Sequence, residues 1–301
     1  MSHIMCNRTL LRFAVVLALA FGFSELKGQD DLSALLESES DDENWDLGSG
    51  TFKGTRLING HSVELRKQGV LELIISHRFG TINSGIENLF GLDDANIRIG
   101  LDYSLTDRFV VGLGRSSFQK VYDGFIKYKL LGQQGGAKSI PFSLVYFSHM
   151  GINSSRWSNP ERPNRSTDRY SFAHQLLLAR KFNTNTSLQL MPSVVHRNLV
   201  PTTVEKNLIY ALGVGGRQKL TKSIALTFEY YHQFNNKNAL YENSTSIGFD
   251  IETGGHVFQL HFTNSNPTFE RGFITETTGD FFAGDIHFGF NITRAFQLTE
   301  K

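Results

Sequence analysis

The groups in this sequence that could do chemistry are imidazoles and carboxylates at strand-like spacing. His261 and His287 lie near the C-terminus, with Asp250 and Asp285 on neighbouring segments. Imidazole nitrogen and carboxylate oxygen together suit zinc or iron. If the segments that carry them pair symmetrically, His261 comes near Asp285. The same side chains also make ordinary hydrogen bonds in a polar interior, so a metal held by His261, His287 and Asp285 stands beside a reading with no metal and no cofactor.

A second set of residues interleaves with apolar ones: Glu72, Arg78, Arg98, Asp102, Asp123, Lys127, Glu229 and Asp250. Charges of both signs on one face can pair into a network that fills an interior, or they can line a narrow selective pore. No G-x-S-x-G elbow, P-loop, H-E-x-x-H pair or dinucleotide glycine fingerprint stands where its structural context would demand it. The expectation is a protein without catalysis. The enzyme alternative is a lipid hydrolase whose Ser/His/Asp site is assembled from scattered strands.

The elements that must position these groups are strands. Over Ala95–Leu113, ANIRIGLDYSLTDRFVVGL, residues Ile97, Ile99, Leu101 and Tyr103 alternate with Asn96, Arg98, Gly100, Asp102 and Ser104. A period of two marks a strand with one apolar face. Thr106-Asp107 supplies turn chemistry before alternation resumes at Phe109 and Val111. Such segments recur at about 69–79, 95–105, 108–116, 120–131, 139–149, 169–181, 187–197, 206–217, 222–233, 244–252, 256–264 and 283–296. Short links, such as Thr106-Asp107 and Asn183–Thr186, alternate with links that are mostly longer, such as Gly151–Asp168 and Ser265–Phe282. Short turns at one end and long loops at the other are the habit of an outer-membrane barrel, and a soluble sandwich has no need of that asymmetry. The apolar faces are then expected to meet lipid and the charged faces the lumen. Tyr residues near strand ends suit interfacial girdles.

Composition fits this class. With 40 % hydrophobic residues and a mean hydropathy of −0.22, the chain is too polar for a helical membrane protein, but only one face of a barrel strand needs to be apolar. A formal net charge of +1 gives no global field to recruit nucleic acid. Arg8 and Arg12 followed by the apolar run Phe13–Phe23 read as a secretory signal over 1–29. The single cysteine, Cys6, precedes that run, which excludes disulfides and thiolate metal sites from the mature chain. Residues 30–50 form an acidic stretch read as a disordered linker. Residues 51–68 contain the hairpin signal Asn59-Gly60 and are expected as a periplasmic or lumenal hairpin segment. The barrel follows over 69–301. The fold class is therefore all-β: a transmembrane antiparallel up-and-down β-barrel of about 12 strands, preceded by a signal peptide and a short acidic linker.

Phe52–Glu64 (FKGTRLINGHSVE), Ser76–Gly80 (SHRFG), Phe90–Asp94 (FGLDD), Gly112–Ser117 (GLGRSS), Tyr122–Gln133 (YDGFIKYKLLGQ) and Gly289–Phe296 (GFNITRAF) resemble a Gram-negative β-barrel family known as domain of unknown function 5777. The resemblance spans about Thr51–Phe296. It implies a porin-like outer-membrane barrel of unassigned activity, with periplasmic lipid-binding or haem proteins as partners, and it carries over no catalytic residue. Three readings of function follow. The first is a narrow channel or binding barrel for a small solute or lipid. The second is a structural or interaction barrel with a plugged lumen, whose outer loops, notably Gly151–Asp168 with Arg156, Arg162, Arg165 and Arg169, meet partners. The third is the lipid hydrolase.

Overall fold

The computed structural model describes residues 45–48, 50–236, 240–253 and 256–299. The signal peptide expected over 1–29 and nearly all of the acidic linker lie outside the described residues. Alternating segments of this kind bury one face each and leave their backbone groups to pair sideways, so a closed ring satisfies all of them and leaves no edge. The chain adopts that solution. Twelve strands form one closed antiparallel barrel: β1 Val70–Thr81, β2 Ala95–Thr106, β3 Phe109–Ser116, β4 Val121–Leu131, β5 Ser143–Asn153, β6 Tyr170–Lys181, β7 Thr186–Arg197, β8 Leu208–Lys219, β9 Ile224–Gln233, β10 Thr245–Thr253, β11 His256–Thr263 and β12 His287–Gln297. Each pairs with its neighbour in sequence, and β12 closes on β1 with Ile292 opposite Ile75.

The phase of each strand is the one its alternation predicts. Along β2, Ile97, Ile99 and Leu101 face outward while Asn96, Arg98, Asp102 and Ser104 are buried. The exposed outward positions are mostly apolar and include Leu113, Ile126, Leu176, Leu190, Phe249 and Leu260. Aromatic rings stand near both ends of the wall, with Phe109 and Tyr128 packed together at the short-turn end and Tyr122 and Tyr210 exposed toward the other.

Three features depart from the sequence reading. The strand expected over 139–149 is Ser143–Asn153. Pro141 has no N–H to give to a ladder, so pairing begins after it and runs on until Asn153 lies opposite Val121. In the freed connection, Gln134–Gly135 pairs with Trp45–Asp46 at the end of the linker region. The second departure is inside the wall. From β5 to β9 the inward positions include Val145, Phe147, Leu177, Met191, Val195, Ile209 and Tyr231, all buried and interspersed with Gln175, Gln189 and Ser193, so the inner face of this sector is largely apolar as well. The third is a short helix, α1 (Glu270–Thr275), in the long connection before β12, with every residue buried.

Candidate functional site

The lumen is filled by residues 51–65. The chain runs up the inside of the barrel, turns and comes back: Leu57 N–H bonds to Gly60 O at 2.8 Å and Ser62 N–H to Thr55 O at 3.0 Å. The residues at the turn are Ile58 and Asn59, one place earlier than the Asn-Gly signal suggests. Gly60 is needed for space rather than for a left-handed backbone, because a Cβ there would lie 2.3 Å from the Tyr231 hydroxyl.

A turn buried in this way exposes backbone N–H groups that must find acceptors, each unpaired one costing about 1–3 kcal/mol. Glu229 supplies them. Its carboxylate accepts from the N–H groups of Ile58 at 3.3 Å, Asn59 at 3.2 Å and Gly60 at 3.0 Å. Arg78 donates to Asn59 Oδ1 at 2.8 Å, and Asn59 donates in turn to Ser246 at 2.9 Å. Gln259 donates to Leu57 O at 2.8 Å and to Asp250 at 2.9 Å. Asn291 donates to Ile58 O. Gln189 imitates a strand neighbour, accepting from Val63 N–H at 2.9 Å and donating to His61 O at 2.8 Å.

Nearer the short-turn end the grip becomes ionic. Glu72 accepts from Thr55 at 2.7 Å and pairs with Arg66 at 2.6 Å. Asp102 meets Arg56 at 3.2 Å, and Lys127 donates to Glu64 O. Arg98 and Asp123 form a two-pronged pair across β2 and β4. All eight charged residues singled out from the sequence are buried inside the wall. Six of them act on the hairpin directly or through one neighbour, and Arg98 and Asp123 hold each other. Opposite this charged sector, Phe52, Leu57 and Val63 of the hairpin join the apolar cluster of β5–β9.

The second insertion comes from the long-loop end. Phe273 and Ile274 of α1 extend the apolar cluster, and the Phe273 ring lies 5.3 Å from that of Tyr231. Glu270, the first residue of α1, links this insertion to the hairpin and the wall, 3.5 Å from His61 Nε2 and 3.2 Å from His149 Nε2. Burial, together with the charges of Arg56, Lys127 and Arg98, drives the His61 imidazole well below its ordinary range, so it is neutral at pH 7. Burial also raises the Glu64 carboxyl, opposed by the N–H donated from Phe52. Between the hairpin and the wall at Thr55, Arg56, Glu64 and Lys127 the remaining void is about 10 Å³, room for roughly one water. Arg56, His61, His149 and Glu270 were not among the expected site residues, because nothing local in sequence shows that 51–65 and 269–275 meet.

The proximity expected between His261 and Asp285 is not formed. Register places His261 opposite Gly289. Asp285 stays in the connecting loop, accepting from the Asp280 N–H at 3.1 Å and from Asn83 at 2.6 Å, and these hydrogen bonds hold its carboxyl below the usual range. His287 Nδ1 contacts Phe79 O at 2.8 Å. Among the described residues no three His, Cys, Asp or Glu side chains gather as metal ligands.

Above the hairpin, at the long-loop end, two larger cavities open. One of about 470 Å³ is lined by Arg78, Asn96, Asn266 and His287. The other, about 440 Å³, is lined by Phe118, Trp157, Arg169, Tyr241 and Arg271 among others.

A family model described as a membrane bound beta barrel domain matches residues 52–296, the hairpin included. No curated protein matches the chain. Among solved structures, the NanC porin aligns at 5% identity with a TM-score of 0.46, covering 76% of this chain and 100% of the porin. An outer membrane channel from Pseudomonas putida F1 aligns at 13% identity and 0.44, covering 77% and 97%. The CymD monoaromatic hydrocarbon channel aligns at 7% and 0.36, covering 78% and 90%.

Proposed function

This chain belongs to the family of membrane-bound β-barrel domains, and on that premise we propose that it is a gated, porin-like barrel of the outer membrane that passes a small solute without catalysis when its hairpin leaves the lumen. The observation that carries this reading is the hairpin itself. It is a separate segment attached at one end of the barrel, held by side chains of the wall rather than built into the ladder. A wall that closes by its own backbone pairing does not need it for closure. The short turns and both ends of the barrel chain would face the periplasm and the long loops the outside.

Planar-bilayer recording of the full chain, folded in detergent, tests the reading. Native protein is expected to be silent apart from brief openings. Deleting 52–65 should give a steady conductance, and a disulfide made by Asn59→Cys with Ser246→Cys should abolish even the brief openings until it is reduced. A deletion variant that keeps the heat-modifiable gel migration of a folded barrel yet conducts nothing would sink the channel. It would leave the second reading, a plugged barrel that serves through its outer loops, which the extent of the buried hairpin contacts also supports.

A further inference from the structure

We propose that the 440 Å³ cavity at the long-loop end is a binding site for a small organic acid, a carboxylate joined to a six-membered ring with a flat face. It does not depend on whether the hairpin moves. The volume falls within the range of small-ligand sites, and the residues divide into a rigid aromatic wall and a pair of incompletely used cations.

The wall is built first. Arg169 donates to the carbonyls of Asn153 at 2.6 Å and Ser155 at 2.7 Å, and its guanidinium lies 3.9 Å from the centroid of the Trp157 ring. Arg169 is thus a strut that holds the long loop after β5 and fixes the indole in place. Trp157, Phe118 and Tyr241 line the same space. A flat ring can lie against such surfaces without ordering them further, which is the economy of preorganisation.

The charges decide the ligand. Both carboxylates that line the cavity face arginines, although Glu276 Oε2 accepts no hydrogen bond. Asp168 accepts from Arg162 at 3.1 Å and from the Arg165 N–H at 3.3 Å. Glu276 lies between Arg197 at 3.3 Å and Arg271 at 3.5 Å. The cations are not matched in the same way. Arg156, exposed at the rim, makes no hydrogen bond or ion pair among the described residues. Arg271 donates one Nη2 bond to Gln119, but its Nε–H, in a side chain only about a tenth exposed, has no acceptor. A guanidinium with free N–H groups matches a planar carboxylate in two-point geometry. An aromatic wall with a free guanidinium at the rim and an unpartnered buried N–H on another lining arginine therefore selects a ring that carries an acid. Uronic sugars and aromatic acids share that chemistry.

Tryptophan fluorescence tests it directly, because the mature chain has only Trp45 and Trp157. The Trp45→Phe protein, full-length and folded in detergent, leaves Trp157 as sole reporter. It is titrated with glucuronate and benzoate, each beside an uncharged counterpart, glucose or benzyl alcohol. The expected result is a saturable change in Trp157 emission with at least one acid. Its uncharged counterpart should bind about tenfold more weakly, and Arg156→Gln should lose about tenfold in affinity for the acid alone, as for one charge-assisted hydrogen bond. The tighter acid identifies the source as sugar or aromatic. Absence of saturation with both acids, equal affinity for an acid and its counterpart, or unchanged acid affinity in the Arg156→Gln protein would each overturn the proposal.

Discussion

The two sides of the lumen hold one hairpin by different physics. From β5 to β9 the wall offers chiefly Phe147, Leu177, Met191 and Tyr231 to Leu57 and Val63, with Gln189 bonding the hairpin backbone among them. From β9 round to β4 it offers Glu229, Gln259, Arg78, Glu72, Asp102 and Lys127 to the backbone and polar side chains of the same segment. Burial of an apolar side chain contributes about 1.5–3 kcal/mol and tolerates small shifts. Hydrogen bonds contribute about 1 kcal/mol net but demand register. The apolar side therefore sets how tightly the hairpin sits, and the polar side sets where.

Amide hydrogen exchange over the hairpin can break this division. Leu57→Ala should have the largest effect, loosening the segment by about 2–5 kcal/mol through the lost contacts and the cavity left behind. Glu229→Gln should cost less, about 1–3 kcal/mol, because a single amide oxygen replaces a carboxylate that accepts from three backbone N–H groups. Its loss should be confined to amides at the tip. If Glu229→Gln loosens the hairpin more than Leu57→Ala does, the polar side is the main anchor and the division fails.

The pH response ranks next. Docked His61 binds its proton less readily than a free imidazole, so its contribution is whole above the ordinary histidine value of about 6.5 and declines as pH falls below it. The decline is up to about 1.4 kcal/mol per pH unit until the depressed value is reached. Glu64, raised by burial, acts in the opposite direction and favours docking toward acid. Exchange rates corrected for intrinsic pH effects should therefore show native protein loosening relative to His61→Gln below about pH 6.5. Parallel profiles would remove His61 from the account. Lys53→Ala should change least, under about 1 kcal/mol, because its 2.7 Å bridge to Glu252 is partly exposed on both sides.

The charged side of the lumen was legible in sequence and the apolar side was not. Arg98, Asp102, Asp123 and Lys127 stand out because their strands alternate. Phe147, Leu177 and Met191 share the inward face of their strands with a few polar residues such as Gln175 and Gln189, while the outward face is apolar too, so period two is weak there and does not single them out. Glu270 was missed for a related reason. Its helix of six residues is too short for a helical period, and its contacts with His61 and His149 join segments remote in sequence. The strand before Asn153 was misplaced by reading through Pro141, whose missing N–H was the available clue.

Gly69 ties the hairpin to the wall. Its N–H bonds to Ser104 O and its carbonyl accepts from Leu298 N–H, both at 2.9 Å, while Gln68 N–H is held by Asp107 at 2.8 Å. The left-handed backbone of Gly69, at φ +78, leaves no room for a Cβ beside Thr299. From that anchor only Arg66–Gly69, about 14 Å at full extension, separates β1 from the returning arm. A released hairpin remains a leashed competitor for its own seat, at an effective concentration on the order of millimolar. A free peptide of the same sequence would have to approach that concentration to displace it, and each escape should end in prompt recapture.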